Sequence, residues 1–228
     1  MSNIHNQVLP LGTQLGVYEI KEVSKIDPFE ITYRAWNHHL KEWVGMREYF
    51  PYDLAVRAID GLSVESKTAG DKGNFEYGLK AFLEQGDILT QIDHPNVVKA
   101  ENILQFNETA YLIFDDQEGL PLAKLAAAPS SFAETEIKFI LVSVLSALQK
   151  VHEFNTVHGN IQPDTLFLAN NGEPLLTDFA AARLALTAKT AKQTDDLNNG
   201  YLPPELSKLS GQVGPASDFY ALVATLYY

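Results

Sequence analysis

Residues 156–180 read TVHGNIQPDTLFLANNGEPLLTDFA, and the rest of the chain is organised around them. The stretch parses as a loop, a short strand, a turn, a second short strand and an acidic loop. His158-Gly159-Asn160 stands near its start and Asp178-Phe179-Ala180 at its end. Polar residues are concentrated at the two loops, where chemistry-bearing side chains are usually placed by a rigid scaffold.

The chain before this stretch divides by periodicity. Residues 13–24 and 29–37 are rich in β-branched and aromatic residues, and Asp27-Pro28 punctuates between them, which predicts a β-hairpin. Residues 42–50 read as a third strand stopped by Pro51. The polar segment 58–74, with Gly61, Gly70 and Gly73, reads as an exposed loop. Phe75, Leu79, Phe82, Leu89 and Ile92 recur at helical spacing, so an amphipathic helix is expected over 75–92, ended by His94-Pro95-Asn96. Residues 97–106 and 109–114 form another strand pair. A five-stranded antiparallel sheet with one helix results.

The pattern changes after the polar connection 115–119. Ser131 and Glu134 have capping-box spacing. They open a helix with Ile137, Ile140, Leu141, Val144, Leu145, Leu148 and Val151 on one stripe. A Thr-rich polar segment covers 181–200, and an apolar, helical segment starts at Ser217. The division is into 1–116, including an N-terminal extension 1–12, and 117–228. The fold class is α+β in two parts.

Composition excludes several functions. With 228 residues there is length for two lobes with a sizeable core. A formal charge of −12 argues against nucleic acid or an anionic membrane surface as the main partner. The absence of cysteine removes disulfides and thiolate chemistry and fits a reducing cytoplasm. No signal peptide is visible at the N-terminus, and the apolar run 219–228 is too short to span a bilayer.

The order of these pieces resembles a bacterial serine/threonine protein kinase domain, over residues 10–228. ITYRAW (31–36) matches the end of the glycine-rich hairpin and VGMREYFP (44–51) the strand that carries the nucleotide lysine. FLEQGDIL (82–89) matches the helix with its paired glutamate. HPNVV (94–98), AYLIFD (110–115), HGNIQPDT (158–165), TDFAAAR (177–183), PPE (203–205) and SDFYAL (217–222) follow in order. The resemblance implies a two-lobed fold, a mainly helical lower lobe truncated after the last helix, ATP and Mg²⁺ as cofactors, and phosphoryl transfer by positioning and charge neutralisation.

Position by position, the chemistry has been removed. The resemblance places Lys25, Asp27 and Glu30 where the hairpin glycines would cradle phosphate, so two carboxylates lie where a polyanion would be bound. Arg47 replaces the strand lysine, and an Arg47–Glu84 ion pair between sheet and helix is expected. Asp115 falls at the nucleotide-cleft edge. Asn160 holds the catalytic-base position, and an amide cannot accept a proton at neutral pH. Gly159 replaces the arginine that would receive an activation-loop phosphate, so Thr187, Thr190 and Thr194 have no built receiver. Gln162 stands for the supporting lysine and Thr165 for the metal-holding asparagine. His158 is expected to pack in the core, and Glu205 and Asp218 to brace the lobe.

Asp178 alone keeps its metal-ligand identity, and a lone carboxylate is a weak Mg²⁺ site. ATP and Mg²⁺ are therefore only weakly supported. The pattern is that of a pseudokinase acting in bacterial signalling as a scaffold or regulatory module with a protein partner. Two alternatives are an unconventional kinase using Arg47, Asp178 and the nearby Asp164, and nucleotidyl transfer on the same scaffold. The apolar end 219–228 offers a surface for self-association.

Overall fold

The computed structural model describes residues 7–127, 132–190, 200–201, 203 and 213–227. They form two compact units, Met1–Thr90 with Ala100–Asp116, and Gln91–Lys99 with Gln117–Tyr228. Residues 91–99 thus pack with the second unit and not with the sheet that precedes them in sequence.

The first unit is built on strands β1 (Gln14–Leu15), β2 (Tyr18–Ile26), β3 (Glu30–Asn37), β4 (Glu42–Tyr49), β7 (Ala100–Phe106) and β8 (Thr109–Asp115). They form one antiparallel sheet in the order β1-β2-β3-β4-β8-β7. The five long strands are those expected, and β1 adds a two-residue edge. Alternation decides the faces. Ile31, Tyr33 and Ala35 of β3 and Val44 and Met46 of β4 are buried on one side, while Thr32 stands opposite Arg47 on the other.

Residues 58–74 are more structured than an exposed loop. β5 (Ala55–Arg57) pairs with β6 (Val64–Ser66), and helix α1 (Lys72–Leu89) starts inside the same stretch. Periodicity missed β6 because three residues are too few to show an alternation. What holds this subdomain is a buried polar cluster. The Arg57 guanidinium donates from both terminal nitrogens to the Glu48 carboxylate at 2.7 and 2.8 Å, and Glu48 is fully buried. Tyr33 and Tyr111 donate their hydroxyls to the same carboxylate at 2.8 and 2.9 Å. Arg57 also donates to the carbonyls of Gln7 and Leu62, and the Leu9 amide donates to the Tyr33 hydroxyl. Burial, reinforced by the Glu48 charge, pushes both phenols well above the ordinary tyrosine range. For Arg57, burial opposes the charge, but the bonds to Glu48 outweigh it and raise its pKa.

In the second unit, α3 (Glu134–Glu153) buries Ile140, Val144, Ala147, Leu148 and Val151. The stripe is rotated slightly from the expected one, since Leu145 turns outward and Ala147 inward. Its N-cap is Ala133, whose amide donates to the Glu136 carboxylate at 2.7 Å. Ser131 lies outside the described residues, as do Thr194 and Glu205. β9 (Gly119–Pro121), β10 (Leu166–Ala169) and β11 (Pro174–Leu176) form a small antiparallel sheet in the order β11-β10-β9, beside the short helix α2 (Leu122–Ala126). Val97 bridges Leu176, which ties segment 91–99 to this sheet. α4 (Ala181–Thr190) and α5 (Pro215–Tyr227) complete the described chain. α4 falls in the stretch read as a polar segment. Its run of alanine and leucine favours helix, and Ala182 and Leu186 are buried. No helix among the described residues is long and apolar enough to cross a membrane.

Candidate functional site

The residues singled out from sequence fall into two clusters, one in each unit. In the first unit, Arg47 sits in mid-β4 and is almost fully buried. Its ion-pair partner is Glu30, Nε to Oε2 at 3.2 Å, with side chains only 4% and 10% exposed. The expected Arg47–Glu84 pair does not form. Glu84 is on the solvent side of α1 and pairs along the helix with Lys80 at 3.6 Å. The helix turns Phe82, Gln85, Gly86 and Leu89 inward instead, so Glu84 misses the inner face by one residue.

Strand register accounts for Glu30. With Thr32 opposite Arg47 and Glu30 opposite Tyr49, Glu30 is the diagonal neighbour of Arg47 on one sheet face. The turn that delivers it is rigid. Asp27 accepts the amides of Phe29 and Glu30 at 2.8 and 2.9 Å, and its own amide donates to the Glu30 carbonyl. Lys25 lies in β2 opposite Thr32, and the hairpin tip beyond it is closed as an ordinary Asx turn. The Arg47 guanidinium also lies 5.5 Å from the centroid of the Phe114 ring. That ring covers Gly45 so closely that a β-carbon there would stand 2.1 Å from it. Asp115, half-buried at the end of β8, is paired in register with Val44, and the adjacent Asp116 binds Arg34 at 2.6 Å.

The second cluster lies in 158–180. His158 is fully buried with its ring centroid 4.4 Å from that of Phe179, and its Nε2 is 2.7 Å from the Thr177 carbonyl. Its packing role is as expected. Asp218, on α5, accepts the amides of His158 and Gly159 at 2.9 and 2.8 Å and pairs with His152 at 2.8 Å. One buried carboxylate thus fixes the start of the loop.

The Asn160 carboxamide is engaged at both ends. Its Nδ2 donates to the Asp178 carbonyl at 3.0 Å, and its Oδ1 accepts from Gln162 Nε2 at 3.3 Å. The Thr165 hydroxyl contacts the carbonyls of Asn160 and Gln162 at 2.5 and 3.2 Å and is buried. Asp178 is half-buried and holds a left-handed backbone, φ 58°, which is uncommon for a residue with a side chain. Asp164, the nearby carboxylate, is exposed.

Gly159 is more than a missing arginine. Its φ is +70°, and a β-carbon there would stand 2.4 Å from Leu184 Cδ1 of α4. Sequence reasoning missed this contact, the Glu30 pair and the Phe114–Gly45 packing. Only the second was readable, from the period-2 alternation of β3 against β4.

The chain is similar to known proteins in sequence and in fold. Residues 55–228 match the sequence model described as the protein kinase domain. A probable serine/threonine-protein kinase of Dictyostelium discoideum is 29% identical over 147 residues, 64% of this chain and 32% of the relative. The probable serine/threonine-protein kinase PknB of Lactococcus lactis is 25% identical over 161 residues, 68% of this chain and 25% of the relative. Serine/threonine-protein kinase PrkC of Bacillus subtilis is 26% identical over 159 residues, 69% and 24%. The chain thus spans a quarter to a third of the length of these curated relatives. Among solved structures, the apo form of PpkA-294 has a TM-score of 0.86 at 29% identity, over 97% of this chain and 78% of that one. The PknI kinase domain of Mycobacterium tuberculosis reaches 0.70 at 18% identity, over 96% and 74%, which speaks for the fold alone.

Proposed function

The chain belongs to the protein kinase domain family, and from that premise we propose that it is an inactive member, a pseudokinase that works as a binding or regulatory module. The observation that carries this reading is the state of Asn160. Phosphoryl transfer in this family needs a carboxylate to take the substrate hydroxyl proton. Here a carboxamide occupies the position, has no basicity at neutral pH, and is tied to the Asp178 carbonyl and to Gln162. Asp164, the nearby carboxylate named from sequence, is exposed.

The residues do not fit a catalytic Mg²⁺ site. Asp178 is one carboxylate, and the Thr165 hydroxyl at the second ligand position accepts the Gln162 amide at 3.2 Å and donates to the Asn160 carbonyl. Among the described residues, no group of three or more His, Asp or Glu is gathered as a metal centre. Hard divalent cations need several oxygen ligands.

A module of this kind acts through its surfaces, and a protein partner follows from the proposal. α5 exposes Phe219, Tyr220, Val223 and Tyr227, which also makes self-association through 219–228 part of it. The test is a radiolabelled phosphate-transfer assay on the full chain beside Asp178→Ala, with Mg²⁺ or Mn²⁺. Both are expected to stay at background. Turnover in the wild type that disappears in Asp178→Ala would sink the proposal.

A further inference from the structure

We infer that Glu30 is a resident anion for Arg47, an internal carboxylate that competes with any polyphosphate for the one cation retained on this strand of the sheet. The inference deepens the inactive reading and rests on it. Three observations carry it. First, the pair is nearly dry, so solvent and salt screen it little. Second, the backbone of Glu30 is fixed. Asp27 captures the Glu30 amide, and the Asp27 amide binds the Glu30 carbonyl. The β3–β4 register then sets Glu30 diagonally across from Arg47, at the end of the same turn that in an ATP-binding hairpin would have to be glycine-rich. Third, the guanidinium lies 5.5 Å from the centroid of the Phe114 ring, and that ring packs directly on Gly45.

An incoming phosphate would have to compete with Glu30 for Arg47 and break a nearly dry ion pair, which is costly even when the new pair is good. The exclusion of polyphosphate is therefore written into a residue of the first unit, independently of the losses at Asn160, Gln162 and Thr165.

The experiment is calorimetric titration of the full chain with ATP, with and without Mg²⁺, and with inorganic tripolyphosphate. The proteins are wild type, Glu30→Gln, and Glu30→Gln with Arg47→Ala. Glu30→Gly is the second variant, should the glutamine fail to fold as judged by circular dichroism. Glu30→Gln is expected to bind tripolyphosphate at least about tenfold more tightly than wild type, and Arg47→Ala to abolish the gain. A folded Glu30 variant with no gain overturns the inference, as does a gain that survives Arg47→Ala. Wild type binding as tightly as Glu30→Gln also overturns it while leaving the inactive reading intact. Failure of the inactive reading shows separately, as phosphate transfer by the wild type.

Discussion

Replacing Gly159 by alanine tests whether the loop has been rebuilt around the loss of its arginine. Two costs add. A non-glycine residue in the left-handed region costs about 1–2 kcal/mol, and the φ here is +70°. The new β-carbon would then stand 2.4 Å from Leu184 Cδ1. A side-chain end can yield, but overpacking of this kind costs about 1–3 kcal/mol. The expected loss is about 2–5 kcal/mol. For a chain of this size that is a fall in Tm of roughly 4–20 °C. Gly172→Ala is the control, since it has φ +84° and nothing within 4 Å. It carries the backbone cost alone, and urea denaturation of the two variants separates strain from packing. A Gly159→Ala loss no greater than that of Gly172→Ala would refute the packing argument. If it holds, Gly159→Arg, the nominal restoration of the family motif, damages the loop and returns no function.

Arg57→Met leaves Glu48 buried without its cation while Tyr33 and Tyr111 still donate to it; chemical denaturation is expected to show a loss of about 3–5 kcal/mol, and a loss below about 1 kcal/mol would contradict the assigned role. Glu84→Ala is expected to change stability by less than about 0.5 kcal/mol, because its only ion pair is an exposed i,i+4 contact; a larger effect would mean that Glu84 braces the sheet after all. His94 is held below the ordinary histidine range, first by burial and then by the Lys150 charge, with Asp93 opposing. The unfolded chain therefore takes up the proton first, so this contribution to stability is full above about pH 6.5 and declines as pH falls through that value. His94→Asn should lower Tm less than wild type between pH 7.5 and 5.5, and parallel curves would refute it.

The parts of the fold that were legible in the sequence were those with a long period. The hairpins, α1 and α3 each present enough turns or alternations to outweigh local noise, and the order of the short motifs supplied the two-lobed reading. What could not be read was decided by single-residue geometry. Glu84 and Gln85 differ by about 100° on a helix, and no motif says which of them faces the sheet. Gly159 reads as a deletion of charge, but the fold shows a left-handed backbone with Leu184 packed against it. α4 was obscured because its threonines read as loop chemistry, while the alanine-leucine run beneath them was enough for a helix once Ala182 and Leu186 found cover. Arg47 was assigned the partner of its family position, and the diagonal of the β3–β4 ladder gave it another.

The clasp of Arg57 on Gln7 has a practical consequence for anyone producing the protein. The family match begins at residue 55, and cutting there would remove Tyr33 with strand β3, Glu48 with strand β4, and the backbone carbonyl of Gln7 that Arg57 grips from two nitrogens. Even a modest trim to residue 12 would strip an acceptor from a buried cation. The workable start of an expression span is therefore set by a hydrogen bond well upstream of where recognisable sequence begins, and a purification tag belongs ahead of Gln7, joined through a flexible linker.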